Sequence, residues 1–250
     1  MGHNHEYPAA GGCGFHGRDG NRIYGSKQFA AVGEHVNFVY APPADGPRIL
    51  HHDHEILVVD KQHGLLSVPG KGEDRADCLI ERLKGVFPEV LLVHRLDLDT
   101  SGVMIFALTR HAQRHLGLQF ERRHVRKFYV ARVSGRLEPK TGTVDLPLIV
   151  DWPNRPRQMV DHENGRSAHT DWRVIRAGDD ESRVRLMPLT GRSHQLRVHM
   201  LSLGHPILGD PLYAQGDARA YPRLMLHAES LRIRHPDGGM AQTFTAPVPF

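Results

Sequence analysis

The apolar residues of this chain come in short segments rich in β-branched side chains, none longer than Val103–Leu108. A membrane-spanning helix needs about 20 consecutive apolar residues, so nothing here reads as one. Short apolar runs bounded by turn residues read instead as strands. Ile56–Val59, Leu91–Val93, Val103–Leu108, Phe128–Val133, Thr170–Ile175 and Ser182–Met187 fit this pattern, the last reached through the polar turn Gly178–Glu181. Leu231 and Ile233 alternate with Arg232 and Arg234, as in a half-solvated strand. Helical spacing occurs in fewer places. Leu79, Ile80, Leu83 and Phe87 share a face, and Pro88 ends the run. Thr109 can cap a helix carrying Ala112, Leu116 and Phe120. Thr190–Leu203 reads as a loop running into a helix that Gly204 stops. Strands outnumber helices and follow one another through short links, so antiparallel pairing is expected over much of the sheet. The expectation is an α+β fold: one domain, residues 48–250, around a mixed, largely antiparallel β-sheet with flanking helices and loops.

Residues 1–47 differ. They hold His3, His5, Cys13 and His16 among many glycines and close on Ala41–Pro47, which reads as a flexible arm. Their spacing matches no paired zinc-ligand pattern, so no metal is expected. The chain has two cysteines, Cys13 and Cys78, too few for a disulfide framework. The N-terminus lacks the apolar block of a secretory signal, and the cytoplasm is the expected compartment. The net charge is +4 and the isoelectric point about 9.2. Arg supplies most of the positive charge. Its planar fork grips phosphates at two points and stacks on bases, which tilts the reading toward a nucleic-acid partner.

Three motifs carry the chemistry. In VHRLDLDTSG, Val93–Gly102, a strand ends and presents His94, Arg95, Asp97 and Asp99 between apolar neighbours. Taken alone this could be a polar turn held by an Arg–Asp pair. In TGRSHQLRVHM, Thr190–Met200, helical spacing puts His194 and Arg197 near one face and Gln195 and His199 near another, which alone could be a basic helix face in water. In KFYVA, Lys127–Ala131, alternation puts Lys127 and Tyr129 on one face of a strand, where Tyr129 could be an ordinary core residue. A fourth segment, DWPNRPRQ from Asp151 to Gln158, reads as a rigid loop that turns Arg155 and Arg157 toward RNA.

In this order the motifs resemble the RluA family of pseudouridine synthases. HRLDLDTSG looks like its signature, LTGRSHQLRVHML its second signature and KFYVARV its tyrosine motif; GLLSVPGKG (Gly64–Gly72) and GHPILGDPLY (Gly204–Tyr213) look familial too. The likeness runs from about Ile49 to the C-terminus. It implies the pseudouridine synthase fold and an isomerase that needs no cofactor. It implies that Asp97 is the essential aspartate, that Tyr129 packs on the target uracil, that Arg197 pairs with the aspartate, and that Arg95 fills the gap left by a flipped base. His94, Lys127, Arg192, Arg155 and Arg157 complete the implied RNA-binding set. DLPLIVDWPNRP, Asp145–Pro156, is similar to dual-specificity members, which implies tRNA and 23S rRNA stem-loops as partners, at uridine 32 and uridine 746, and a monomer that needs no protein partner. Some relatives carry an S4 RNA-binding domain at the N-terminus; residues 1–47 do not resemble one.

The implied reaction breaks the N1–C1′ bond, rotates the uracil and joins C5 to C1′. It requires a carboxylate kept ionised at the sugar–base junction; burial opposes ionisation and an adjacent guanidinium favours it. Three other readings compete: the same chemistry on a different uridine, an RNA-binding module without catalysis, and a hydrolase using Asp97 with Asp99 as a carboxylate pair.

Overall fold

The computed structural model describes residues 39–250, and Val39–Phe250 forms one compact unit. The cysteine and histidines of the expected arm, at positions 3, 5, 13 and 16, lie outside the described residues. Residues 39–47 run along the domain. The Tyr40 hydroxyl donates to the Asp77 carbonyl (2.8 Å) and accepts from the Leu66 amide (3.1 Å), and the Asp45 carbonyl accepts from the Arg82 guanidinium (3.0 Å).

Twelve strands and three helices follow in chain order. They are β1 (Arg48–His52), β2 (Ile56–Lys61), α1 (Leu79–Lys84), β3 (Leu91–Leu92), β4 (Ser101–Ala107), α2 (Arg110–Glu121), β5 (Arg126–Ser134), β6 (Thr141–Asp145), β7 (Leu148–Val150), β8 (Gln158–Val160), β9 (His169–Ala177), β10 (Glu181–Pro188), α3 (Gln195–Ser202), β11 (Leu226–Arg234) and β12 (Ala241–Thr245). One sheet takes the order β1-β2-β4-β11-β5-β10-β9-β6, with β3 on β4 and β12 on β11; β7 and β8 form a separate hairpin. Among the described strands only β4 and β11 pair in parallel, through His227 with Ser101 and Ala228 with Gly102. The mixed, largely antiparallel sheet expected from the strand spacing is therefore present.

The apolar runs stay apolar because helices cover both faces of the sheet. Leu57 and Val59 of β2, with Met104 and Phe106 of β4, pack under Leu79 and Leu83 of α1. Their neighbours Ile56, Val58 and Ile105 pack on the other face against Ala112 and Leu116 of α2 and Leu231 and Ile233 of β11. Removing a fully buried leucine such as Leu116 from such a core costs about 2–5 kcal/mol. Thr109 caps α2 as expected: its Oγ1 accepts from the Ala112 amide (3.0 Å) and donates to Glu55 (2.6 Å). A third core joins β5, β10 and α3 through Ala131, Val184, Leu186, Leu196 and Met200.

Two local features set the site. Gly102 has φ 114°, and a Cβ there would lie 2.3 Å from the Ala228 carbonyl oxygen, so only glycine lets β4 and β11 approach. The α3 helix begins at Gln195, one residue later than the helical spacing of His194 and Arg197 suggested, because His194 is left-handed (φ 54°). Residues Gln195–Met200 are all buried, so this is not a basic face in water.

Candidate active site

The loop between β3 and β4 delivers Asp97, and its backbone is clamped on either side of that residue. Ser67 Oγ donates to the Leu96 carbonyl (2.7 Å) and accepts from the Leu96 amide (3.2 Å). The Leu98 carbonyl accepts from the Gly64 amide (3.1 Å) and from Lys61 Nζ (2.9 Å). Lys61 is fully buried and also donates to the carbonyls of Gln62 (2.9 Å) and Leu65 (2.6 Å), so three acceptors match the three hydrogens of an ammonium. Burial pulls its pKa down to about 7 against the upward pull of Asp99 and Asp97. Nothing in the spacing of the sequence marked Lys61.

Arg197 reaches the same place from α3. Its Nε and Nη2 each donate to Asp210 at 2.7 Å, a bidentate pair of two buried groups. Asp210 Oδ1 also accepts the amides of Leu212 (2.9 Å) and Tyr213 (3.1 Å). Burial works against the Arg197 charge, yet the hydrogen bonds and charge of Asp210, helped by Asp97, raise its pKa above the usual arginine value. Its remaining nitrogen, Nη1, stands 3.8 Å from Asp97 Oδ2, a charge contact too long for a hydrogen bond. The expected Arg197–Asp97 pair is therefore secondary to Arg197–Asp210. Asp210 sits inside GHPILGDPLY, which the sequence reading singled out without assigning a role.

Tyr129 of β5 completes the group. Burial, and then the charge of Asp97, pushes its hydroxyl pKa above the ordinary tyrosine value. Asp97, Tyr129 and Arg197 line one cavity of ≈ 90 Å³, with Arg95, Lys127 and Arg192 on its walls; Asp97 is the only carboxylate among the described residues there. A wider hollow of ≈ 530 Å³ continues from it, sharing Arg95, Lys127, Tyr129 and Arg192. Gln195 shapes the Thr190–Arg192 rim: its Oε1 accepts from Thr190 Oγ1 (2.7 Å) and the Arg192 amide (3.0 Å). Asp99 is not on the walls; its carboxylate lies 3.9 Å from His63. A two-acid hydrolase would need both carboxylates on the cavity wall, where Asp97 stands without Asp99.

Other expected RNA contacts fare unevenly. Arg95 is exposed at the mouth. Arg192 is exposed and donates to the Ser167 carbonyl (3.1 Å). Lys127 donates to the Thr190 carbonyl (2.8 Å), and burial lowers its pKa to about 8. His94 is a correction. It lines the wider hollow, but its ring stacks on Phe120, its Nε2 accepts the Ile105 amide (3.1 Å), and burial lowers its pKa to about 3, so it stands there as a neutral ring and not as a cation. Arg155 and Arg157 belong to the β7–β8 hairpin and are not on the walls of the Asp97 cavity. Arg155 is exposed and stacks 4.1 Å over Trp152, itself 64% exposed. Arg157 is half-buried over the Tyr213 ring (5.2 Å).

Behind the site a second polar chain ties β4 to β11. Arg223 donates to Ser101 Oγ (2.5 Å), Ser101 bonds His227 Nδ1 (2.8 Å), and His227 Nε2 reaches the Ala246 carbonyl (3.3 Å). A carbonyl only accepts, so Nε2 carries the hydrogen and Nδ1 accepts from Ser101. Burial lowers the His227 pKa to about 4.

Comparison with known proteins gives the family. The sequence profile of RNA pseudouridylate synthases matches residues 55–202. A dual-specificity RNA pseudouridine synthase RluA of Escherichia coli (strain K12) is 55% identical over 204 residues, 81% of this chain and 93% of that protein. A protein of the same name from Vibrio vulnificus (strain CMCP6) is 47% identical over 218 residues, 84% of this chain and 87% of that one. The solved structure of human RNA Pseudouridylate Synthase Domain Containing 1 superposes with a TM-score of 0.71 at 32% identity, covering 84% of this chain and 87% of that one.

Proposed function

The chain belongs to the RluA family of RNA pseudouridine synthases, and from that membership we propose that Asp97 acts at the sugar–base junction of a uridine turned out of a tRNA or 23S rRNA stem-loop. The enzyme is an isomerase of RNA uridines. The observation that carries the finer reading is the carboxylate of Asp97, the only one among the described residues in a cavity otherwise walled by basic, neutral polar and apolar groups with the Tyr129 ring.

The target atoms lie inside a folded RNA, so the nucleotide must leave its stack, at a cost of a few kcal/mol. Tyr129 presents a ring on which the uracil packs, and base–aromatic stacking returns about 1–3 kcal/mol. Arg95, exposed at the mouth, enters the gap left in the RNA, and its plane stacks where the base was. Arg197 holds a positive charge 3.8 Å from the carboxylate, in a site where burial strengthens that attraction. The glycosidic electrons released at N1 return at C5: the N1–C1′ bond breaks, the C5–C1′ bond forms, and the proton lost from C5 is balanced by one gained at N1. No group is oxidised or hydrolysed. Asp97 serves this exchange either by attack on C1′ or by removing the C2′ proton.

The substrate reading is uridine 32 of tRNA anticodon stem-loops and uridine 746 of 23S rRNA, by a monomer in the cytoplasm. It is supported by the named activity of relatives that match over four fifths of the chain, and the family profile's span, residues 55–202, contains the whole β7–β8 hairpin. Asp97→Asn should abolish tritium release from C5-labelled RNA while leaving RNA affinity within about threefold, since one uncharged isostere changes little contact area. Residual turnover above a hundredth of the unsubstituted rate would remove Asp97 from the chemistry. Mapping pseudouridines in cells with and without the gene tests the two positions.

A further inference from the structure

We propose that the basic hollow at the corner between α2 and β5 is a second RNA-phosphate site, which holds the part of a substrate RNA lying beyond the target stem-loop. The inference rests on the reading above and extends its footprint. The hollow, ≈ 460 Å³, is walled by Arg123, Arg126, Arg232 and Arg234 with His124, and among the described residues no carboxylate lines it. Arg126 of β5 and Arg232 of β11 stand directly opposite each other in the antiparallel register, and both are exposed. Like charges directly opposite on paired strands destabilise a sheet. Elsewhere on these strands the same problem is solved internally: Arg132 of β5 holds Glu181, and Arg185 of β10 holds Glu229. Among the described residues Arg126 and Arg232 have no such partner, which is the expected state of a site kept for an external anion.

The position of the hollow selects the anion. Arg123 also lines the wide hollow that runs from the catalytic cavity, so the two share a wall. Arg123 is left-handed (φ 60°), a conformation that a non-glycine residue rarely takes, and it forms the corner where the two meet. An RNA seated over Asp97 therefore has a basic path to follow. Arginine forks with no aromatic platform beside them suit phosphate oxygens, not bases, so the site reads backbone and is indifferent to sequence. The acidic Glu121 lies on the shared hollow and not on this one.

The test compares an isolated anticodon stem-loop with the full-length tRNA that contains it, measuring Kd across a salt series for Arg126→Gln with Arg232→Gln. Losing two phosphate contacts should weaken full-length tRNA about tenfold at moderate salt and lower the log–log salt slope by about 2. Affinity for the stem-loop, and turnover on it, should stay unchanged. The Arg126→Lys, Arg232→Lys pair should keep most of the tRNA affinity, which sets lost charge apart from lost fold. Unchanged tRNA affinity and slope would overturn the proposal and leave the hollow to another polyanion, such as an acidic protein. Equal weakening on both RNAs would also overturn it, by making the hollow part of the cleft. Failure of the functional reading looks different: the unsubstituted enzyme would then make no pseudouridine in either RNA.

Discussion

Asp210 receives two hydrogen bonds from Arg197 and two from backbone amides, all inside the core. Removing one member of such a buried pair leaves an uncompensated charge, at a cost of about 3–5 kcal/mol. Asp210→Ala should lose that much in urea unfolding, and its turnover should fall as well, because the unpaired Arg197 would swing fully onto Asp97. A loss below about 1 kcal/mol would show that the pair is not what holds Arg197. Two histidines make a second residue-level test. His94 and His227 are held neutral, with pKa values near 3 and 4, while both titrate near 6.5 once unfolded. Between those values the unfolded chain binds more protons than the folded one, so stability is complete above pH 6.5 and falls as the pH drops toward 4. Each histidine adds up to about 1.4 kcal/mol per pH unit to that slope. Urea melts from pH 7 to pH 4.5 should show it, and His227→Gln should flatten it. The sequence made the places of Asp97 and Tyr129 legible, because strand alternation and a polar loop between apolar strands are local signals; what they do was implied only by the family resemblance. His94 misled for the opposite reason: its type suggests charge, and only its place against Phe120 and the Ile105 amide keeps it neutral.

At the scale of elements, the β7–β8 hairpin carries the clearest separable role. Its base is fixed by the Tyr213 hydroxyl, which accepts the Gln158 amide at 2.7 Å, while Trp152 and Arg155 stack at its exposed tip. Trp152→Ala with Arg155→Ala should weaken RNA binding about tenfold, the loss of one stacked contact. Such surface changes move stability by less than about 0.5 kcal/mol, so filter binding and urea melts read the two effects apart. An unchanged Kd would take the tip out of the RNA interface. This hairpin was read as a rigid loop because its strands are three residues each. β6 (TGTVD) and β12 (AQTFT) were not anticipated either; each buries at most one residue, so neither shows an apolar stripe. β2, β4, β5 and β10 bury most of their residues, or alternate ones, and were readable for that reason.

For the whole molecule, the boundary of the folded unit can be tested directly. A chain starting at Val39 keeps the Tyr40 bonds to Asp77 and Leu66 and the Asp45 bond to Arg82, whereas one starting at Arg48 loses all three. Three such bonds, largely exposed, contribute roughly 2 kcal/mol together. The shorter chain should therefore unfold earlier in urea by that amount, while the longer one should match the full-length protein in stability and turnover. Equal stability of the two would return the boundary to residue 47. Strand order was the least legible property at this scale. Nothing in the alternation of Leu231 and Ile233 says that β11 lies between β4 and β5.

That insertion has a further consequence for how the enzyme is born. The carboxylate enters beside β4 and the aromatic ring on β5, yet the strand that sets their spacing is synthesised after both, at residues 226–234, and Gly102 must meet Ala228 before the spacing exists. Until that strand is made, a nascent polypeptide holds both reactive side chains without the strand that spaces them.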